Sequence, residues 1–191
     1  MHSWMDSALN VRTMITTYEG LLDLLVRARV KFVLAGGLAV CLNGFVRTTN
    51  DLDILIDLSP ENIDRLAACL ASFGQGYGST LTVSDVTDEP GAIRIQEEFD
   101  LDIFVRLNGK TFSDFASMIK FHCLPSGTEI PFLSAEGLIE TKRGSGRDKD
   151  RVDMGFLNDQ RRNRPLDASF RLDSVRDADS SDPESRTNPA P

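Results

Sequence analysis

The stretch Phe32-Val33-Leu34-Ala35-Gly36-Gly37-Leu38-Ala39-Val40-Cys41-Leu42-Asn43-Gly44, continued after Phe45 and Val46 by Arg47-Thr48-Thr49-Asn50-Asp51-Leu52-Asp53-Ile54-Leu55-Ile56, decides the fold. It opens with a short continuous apolar run, the pattern of a buried strand. Gly36-Gly37 breaks the run, a small helix is predicted over Leu38 to Asn43, and Gly44 is placed to end it in a left-handed backbone conformation. Asp51 to Asp57 then alternates strictly. In a strand this puts Leu52, Ile54 and Ile56 on one face and Asp51, Asp53, Leu55 and Asp57 on the other. The unit is a strand, a glycine turn, a short helix and a second strand with an acidic face.

Working outward, Leu21, Leu22, Leu24, Leu25 and Ala28 recur at helical spacing and predict a helix from about Thr16 to Val30. Ser59-Pro60 supplies an N-cap and a first-turn proline for a helix carrying Ile63, Leu66, Ala67 and Leu70. Strands are predicted near Leu81 to Val86 and Ala92 to Ile95. A third, Phe99 to Val105, alternates again, with Asp100, Asp102 and Phe104 opposite Phe99, Leu101, Ile103 and Val105. The next stretch is weakly patterned and receives no element. Ser134 then caps a helix through Thr141, and a last helix from Asp148 to about Gln160 is expected to bury Val152 and Phe156, four residues apart. The class is mixed α/β (α+β), a small mixed sheet with flanking helices.

One domain is expected over residues 1–163. From Arg164 to Pro191 lie four of the eight prolines, none of the fourteen glycines and the run Asp177-Ala178-Asp179-Ser180-Ser181-Asp182-Pro183-Glu184. Too few apolar side chains remain there to offset the entropy of ordering, so residues 164–191 read as a disordered acidic tail. The leader, with His2 and Trp4, yields no reading.

The whole chain of 191 residues sets 21 Lys and Arg against 29 Asp and Glu, a net charge of -8, which excludes a generally basic nucleic-acid coat. Two histidines and three cysteines, Cys41, Cys69 and Cys123, are too few and too scattered for a structural zinc site, a disulfide scaffold or a Cys-His nucleophile. His122, Cys41 and Cys69 read as structural. No stretch approaches the ~18 to 20 apolar residues of a membrane span, and no signal peptide is recognisable, so a cytoplasmic protein with free thiols is expected.

If the two aspartate-bearing strands pair as neighbours, three or four carboxylates converge, and their repulsion calls for a cation. Oxygen-only ligation selects hard ions, magnesium or manganese, which complete their shells with water and substrate phosphates. The Gly36-Gly37 turn leads into a helix whose backbone N-H groups and dipole suit a phosphate. Together these features describe a phosphoryl-transfer site.

The strings quoted at the outset resemble the nucleotidyltransferase superfamily with the DNA polymerase beta-like fold, with the AbiEii-type abortive-infection toxins as the nearest likeness; the resemblance runs from about Val30 to Leu157. It implies that Gly36 and Gly37 contact the nucleoside triphosphate (NTP), with Arg47 and Thr48 beside them. It also implies that Asp51 and Asp53 are paired metal ligands, and that Asp102 is the third carboxylate, which shares a metal and helps deprotonate the attacking hydroxyl. Asp100 is the rival for that third place. Many members carry Gly-Ser, whose hydroxyl binds phosphate, whereas Leu38 follows Gly37 here. Downstream, Leu138-Ile139-Glu140-Thr141-Lys142 and Gly146-Arg147-Asp148-Lys149-Asp150 resemble the segment in which a lysine, Lys142, reaches the triphosphate, and Arg147 joins the nucleotide-binding set.

The implied function is transfer of a nucleoside monophosphate from an NTP, with Mg2+ or Mn2+, to an acceptor hydroxyl. As in toxins of that type, the acceptor is expected to be RNA, a transfer RNA end, and the partner a cognate antitoxin protein. Eight basic against four acidic residues between Lys142 and Arg164 suit a phosphate track. The alternatives are a catalytically degenerate nucleotide- or partner-binding module, which Leu38 favours and the retained carboxylates oppose, and a small-molecule (antibiotic) nucleotidyltransferase.

Overall fold

In the computed structural model, residues 18–74, 77–96 and 99–162 are described. The expected tail, the leader and Arg164 lie outside them. A helix over 18–27 (α1) leads to β1 (Phe32–Leu34), α2 (Gly36–Leu42), β2 (Asp51–Ile56) and α3 (Pro60–Ala71). β3 (Ala92–Gln96), β4 (Asp100–Phe104), β5 (Ile119–Cys123), β6 (Glu129–Leu133), α4 (Ala135–Lys142) and α5 (Asp148–Arg162) follow. The strands form a six-stranded mixed sheet in the order β3-β4-β2-β1-β6-β5. β1–β2, β3–β4 and β5–β6 are antiparallel, while β2–β4 and β1–β6 are parallel.

β1 is central because all three of its side chains, Phe32, Val33 and Leu34, are buried. Each contributes about 1.5 to 3 kcal/mol of hydrophobic stabilisation. Leu21, Leu22 and Leu25 of α1 and Ile63, Leu66 and Leu70 of α3 join the same core, as their spacing predicts. At the end of β2, Leu55 lies on the acidic face yet is fully buried, paired in register with Phe104. Only the first half of that face, with Asp51 and Asp53, is left polar.

Three expectations are corrected. Leu81 to Val86 is not a strand: Tyr77–Thr80 and Val83–Asp85 are short 3-10 turns. The Thr82 backbone N-H and hydroxyl both donate to Asp85 Oδ2, at 2.8 and 2.6 Å, and this local capping box outcompetes strand pairing. Leu81 and Val86 still bury their side chains, which is the apolar signal the sequence carries. The unassigned stretch before Ser134 contains the hairpin β5–β6, closed by Leu124 N-H to Thr128 O and Gly127 N-H to Leu124 O, both 2.8 Å. Its β5 shows no alternation of burial, hence no period-2 signal. Val152 of α5 is 60% exposed rather than buried. Phe156 is partly buried and stacks on Phe45 with ring centroids 4.8 Å apart.

The face α5 turns inward is instead made by Asp150, Asp153 and Leu157. Lys142 Nζ, at the end of α4, lies 2.6 Å from Asp150 Oδ1 and 2.9 Å from Asp153 Oδ2. Arg47 donates through Nε and Nη2 to both oxygens of Asp153, at 2.9 and 3.0 Å. Arg147 Nε and Ser145 Oγ complete Asp150, at 2.7 and 2.6 Å. Burial alone would push the Asp150 carboxyl up; the hydrogen bonds from Lys142 and Ser145 and the Lys142 charge outweigh it and hold the group at about 2. Breaking such a buried pair from one side strands the other charge. Asp150→Ala is therefore expected to destabilise the protein by about 3 to 5 kcal/mol, whereas Asp148→Ala, whose partner Arg151 is also at the surface, costs about 1 kcal/mol or less. Urea unfolding of the two variants checks the contrast.

Candidate active site

The parallel register of β2 and β4 sets Asp51 opposite Asp100 and Asp53 opposite Asp102. Alternation then puts all four carboxylates on one face of the sheet. Asp51, Asp53 and Asp102 each offer an oxygen within 4.8 Å of the others, the one group among the described residues with the make-up of a metal-binding cluster. Asp100 stands beside it, with Gln96 Nε2 donating to its Oδ1 at 3.2 Å and Arg94 Nη1 3.6 Å from its Oδ2.

The electrostatics of the cluster follow from this crowding. Burial, then the charges of Asp51 and Asp102, push the Asp53 carboxyl up to about 6, against a hydrogen bond from the Gly37 backbone. Asp51 is also raised by burial, but the Thr49 hydroxyl, donating to its Oδ1 at 2.5 Å, and the charges of Lys149 and Arg47 bring it below its ordinary value. Asp102 is buried, and both of its oxygens accept from Arg94, Nε at 2.7 Å and Nη2 at 2.6 Å. An oxygen-only set of three carboxylates, one of them pushed up by burial and by the charges of its neighbours, fits a magnesium or manganese ion.

The glycine pair explains how the cluster is seated. Gly36 has φ +55°, and a Cβ there would lie 1.7 Å from Asp53 Oδ2. A Cβ on Gly37 would lie 2.3 Å from Thr49 Oγ1. Both positions must be glycine for Asp53 and Thr49 to approach the turn. The Gly37 N-H is engaged by Asp53, and Leu38, at the place where the resemblance implies a serine, is buried in the core.

Two adjoining cavities flank the cluster. One, of about 360 Å³, is lined by Gly36, Gly37, Asp53, Asp102, Lys142 and Arg147 among others; its neighbour, of about 410 Å³, is lined by Thr48, Thr49, Asn50 and Asp100. Arg47, Asp51, Arg94 and Lys149 border both. Every residue that the resemblance assigns to the metal or the nucleotide, and the rival Asp100, therefore lines one cavity or the other. Three of the cations have prior engagements: Lys142 is buried between Asp150 and Asp153, Arg47 holds Asp153 and Arg147 holds Asp150. Lys149 is exposed, and its charge is felt at Asp51 and Asp53. In the sequence, Lys149 stands inside a charged helix start and Arg94 carries no signal of a role. Arg94 becomes visible only through the pairing of β3 with β4, which sets it directly across from Asp102.

The family model for aminoglycoside-2''-adenylyltransferases matches residues 19–157, most of the chain and all of the site. The chain belongs to this family. Two solved structures share the adenylyltransferase-family chain's fold. An antigenic nucleotidyltransferase-like protein from Paracoccidioides brasiliensis is 16% identical, with a TM-score of 0.50 over 79% of this chain and 75% of its own. A candidate nucleotidyltransferase from Thermotoga maritima is 19% identical, with a TM-score of 0.51 over 78% of this chain and 94% of its own. No curated protein is significantly similar. The fold is thus the nucleotidyltransferase fold, and the superfamily expected from the sequence is the right one. None of the described helices is long and apolar enough to cross a membrane.

The raised Asp53 carboxyl fixes a pH dependence for the metal-free protein. An aspartate whose folded value, about 6, lies above its unfolded value of 3.8 costs stability in full above 6, and the cost is relieved as pH falls between the two. Asp53→Asn is expected to stabilise the protein at pH 7.5 by about 2 to 3 kcal/mol and to give almost no advantage at pH 4. Chemical denaturation in chelator at the two pH values measures this, and an equal gain at both would contradict the assignment.

Proposed function

We propose that the protein is a divalent-metal-dependent nucleotidyltransferase that moves the nucleoside monophosphate of an NTP, foremost AMP from ATP, to a hydroxyl of a small polar acceptor of the aminoglycoside kind. The observation that carries the reaction class is the convergence of Asp51, Asp53 and Asp102 beside a glycine turn and two cavities. Family membership carries the choice of nucleotide and acceptor.

Asp51, Asp53 and Asp102 would hold magnesium or manganese, which when bound supplies positive charge to the phosphate oxygens and to the attacking oxygen. The smaller cavity, with Gly36, Gly37, Lys142 and Arg147 on its wall, takes the triphosphate, and Lys149, an exposed cation on the rim of both cavities, contacts it directly. Arg47 and Lys142 act mainly by position, because their charges are shared with Asp150 and Asp153. The neighbouring cavity, with Thr48, Asn50 and Asp100, takes the acceptor; its mixture of hydroxyl, amide and carboxylate suits a polyhydroxylated, amine-bearing molecule. The acceptor hydroxyl gives its proton to an Asp102 carboxylate oxygen as its own oxygen bonds to the α-phosphorus and pyrophosphate leaves on the opposite side.

The RNA acceptor, the AbiEii-type toxin role and the antitoxin partner have no support in the family or the structural neighbours. Half of the expected basic track is already paired: Lys142 with Asp150 and Asp153, Arg143 with Glu140, Arg147 with Asp150 and Arg151 with Asp148. Lys149, Arg161 and Arg162 are exposed, and Arg164 lies outside the described residues.

The test is incubation with each α-labelled NTP and Mg2+ in parallel with an aminoglycoside panel and with total cell RNA. Label is expected in the aminoglycoside arm with ATP, and Asp51→Asn combined with Asp53→Asn is expected to reduce it by several orders of magnitude while the fold persists. Label in RNA alone would reverse the choice of acceptor, and equal transfer by the double variant would dismiss the site.

A further inference from the structure

Arg94 holds one of the three carboxylates that a metal ion would need. Its fork engages both oxygens of Asp102, at 2.7 and 2.6 Å, and Asp102 is one of the three carboxylates of the cluster. The pairing is imposed by the backbone, since Arg94 and Asp102 are directly opposed in the antiparallel β3–β4 ladder and point to the same face. The guanidinium is about half exposed, whereas the Asp102 side chain is only 7% exposed. The mobile partner is therefore the arginine and the fixed one the carboxylate. A second carboxylate lies within reach: Asp100 Oδ2 is 3.6 Å from Arg94 Nη1, already on the solvent side of the cluster at 35% exposure.

These distances describe a built-in counter-ion with two seats. Resting on the proposed metal site above, we infer that Arg94 neutralises Asp102 while no cation is bound, competes with the incoming cation for that carboxylate, and passes to Asp100 when the cation takes it. Asp100, the rival third carboxylate of the sequence, is then the second seat of the arginine rather than a ligand. The exchange keeps both Asp102 and Arg94 partnered. Asp102 trades a guanidinium for a metal, and Arg94 trades one carboxylate for the next along the same strand. It also places a free guanidinium edge on the border of both cavities, because Arg94 lines each of them. Arg94 is a positioning residue in this scheme, acting through Asp102.

The measurement is Mn2+ binding by the full chain without nucleotide, followed by electron paramagnetic resonance or calorimetry, so that no catalytic readout enters. Removing a competitor tightens binding: Arg94→Gln is expected to lower the Mn2+ Kd by about tenfold, and Arg94→Lys, which keeps the charge but loses the fork, to fall between. Asp100→Asn is expected to weaken Mn2+ binding more in the wild-type background than in Arg94→Gln, because only in the former does the arginine need its second seat; a double-mutant cycle isolates this term. An Arg94→Gln variant that binds Mn2+ with unchanged or weaker affinity overturns the role of Arg94 while leaving the metal site standing. Failure of wild type and Arg94→Gln alike to bind Mn2+ overturns both. If Arg94→Gln does not fold, the Arg94→Lys value against wild type decides: equal affinities contradict the competition.

Discussion

The in-register parallel pairing of β2 with β4 brings Asp51 and Asp53 level with Asp100 and Asp102 on one face of the sheet. Four negative charges in adjacent rows oppose the very pairing that the apolar residues between them favour. Leu52, Ile54, Leu101 and Ile103, all essentially buried on the opposite face, supply that favourable side. The rest of the site is arranged around the conflict. Gly36 and Gly37 give up their side chains so that Asp53 and Thr49 can fit, Thr49 donates to Asp51, and Arg94 closes on Asp102. What remains uncompensated is concentrated on Asp53, whose carboxyl is pushed up to about 6. The proposed metal ion would supply the missing positive charge.

A second set of buried charges fixes the opposite wall. Lys142, Asp150, Asp153 and Arg47 tie α4, α5 and the segment before β2 into one unit, and these residues or their neighbours line the cavities. Geometry at the site thus depends on polar contacts well removed from the carboxylates. The same contacts show that a lysine at a helix end need not be a free phosphate ligand: Lys142 is 7% exposed and twice paired, while Lys149, the second residue of the next helix, stands in the open. Assigning the triphosphate to Lys149 follows from this division.

The central part of the fold was legible because its signals are local. The apolar run at Phe32, the glycine break and the alternation from Asp51 each fix one element and its orientation, and β1, α2, β2 and β4 stand where those patterns put them. The elements that were missed obey non-local rules. β5 is an edge strand with no clear inner face, so its period is silent. Leu81 and Val86 are apolar because they are buried, yet the Thr82–Asp85 cap decides the backbone between them. In α5 the buried stripe runs through Asp150 and Asp153, which apolar spacing cannot reveal, and Val152 is turned outward as a result. At the site, the spacing of Asp51, Asp53, Asp100 and Asp102 announced a patch of carboxylates, while the preference for Asp102 over Asp100 came from the resemblance alone. Arg94 gave no such signal, because its meaning depends on a strand register that no single segment encodes.

The proposed chemistry requires the carboxylate cluster to be a cation site and not an acidic surface of no consequence. Its most direct test is the melting temperature of the wild-type protein at pH 7.5 in chelator and in millimolar Mg2+ or Mn2+. A ligand that binds only the folded state stabilises it by mass action, and here it also removes the repulsion borne by Asp53. The predicted result is a rise of several degrees with either ion that saturates with concentration and is not reproduced by an equal ionic strength of sodium chloride. A melting temperature that the divalent ions leave unchanged, or raise no further than sodium chloride does, would contradict the claim.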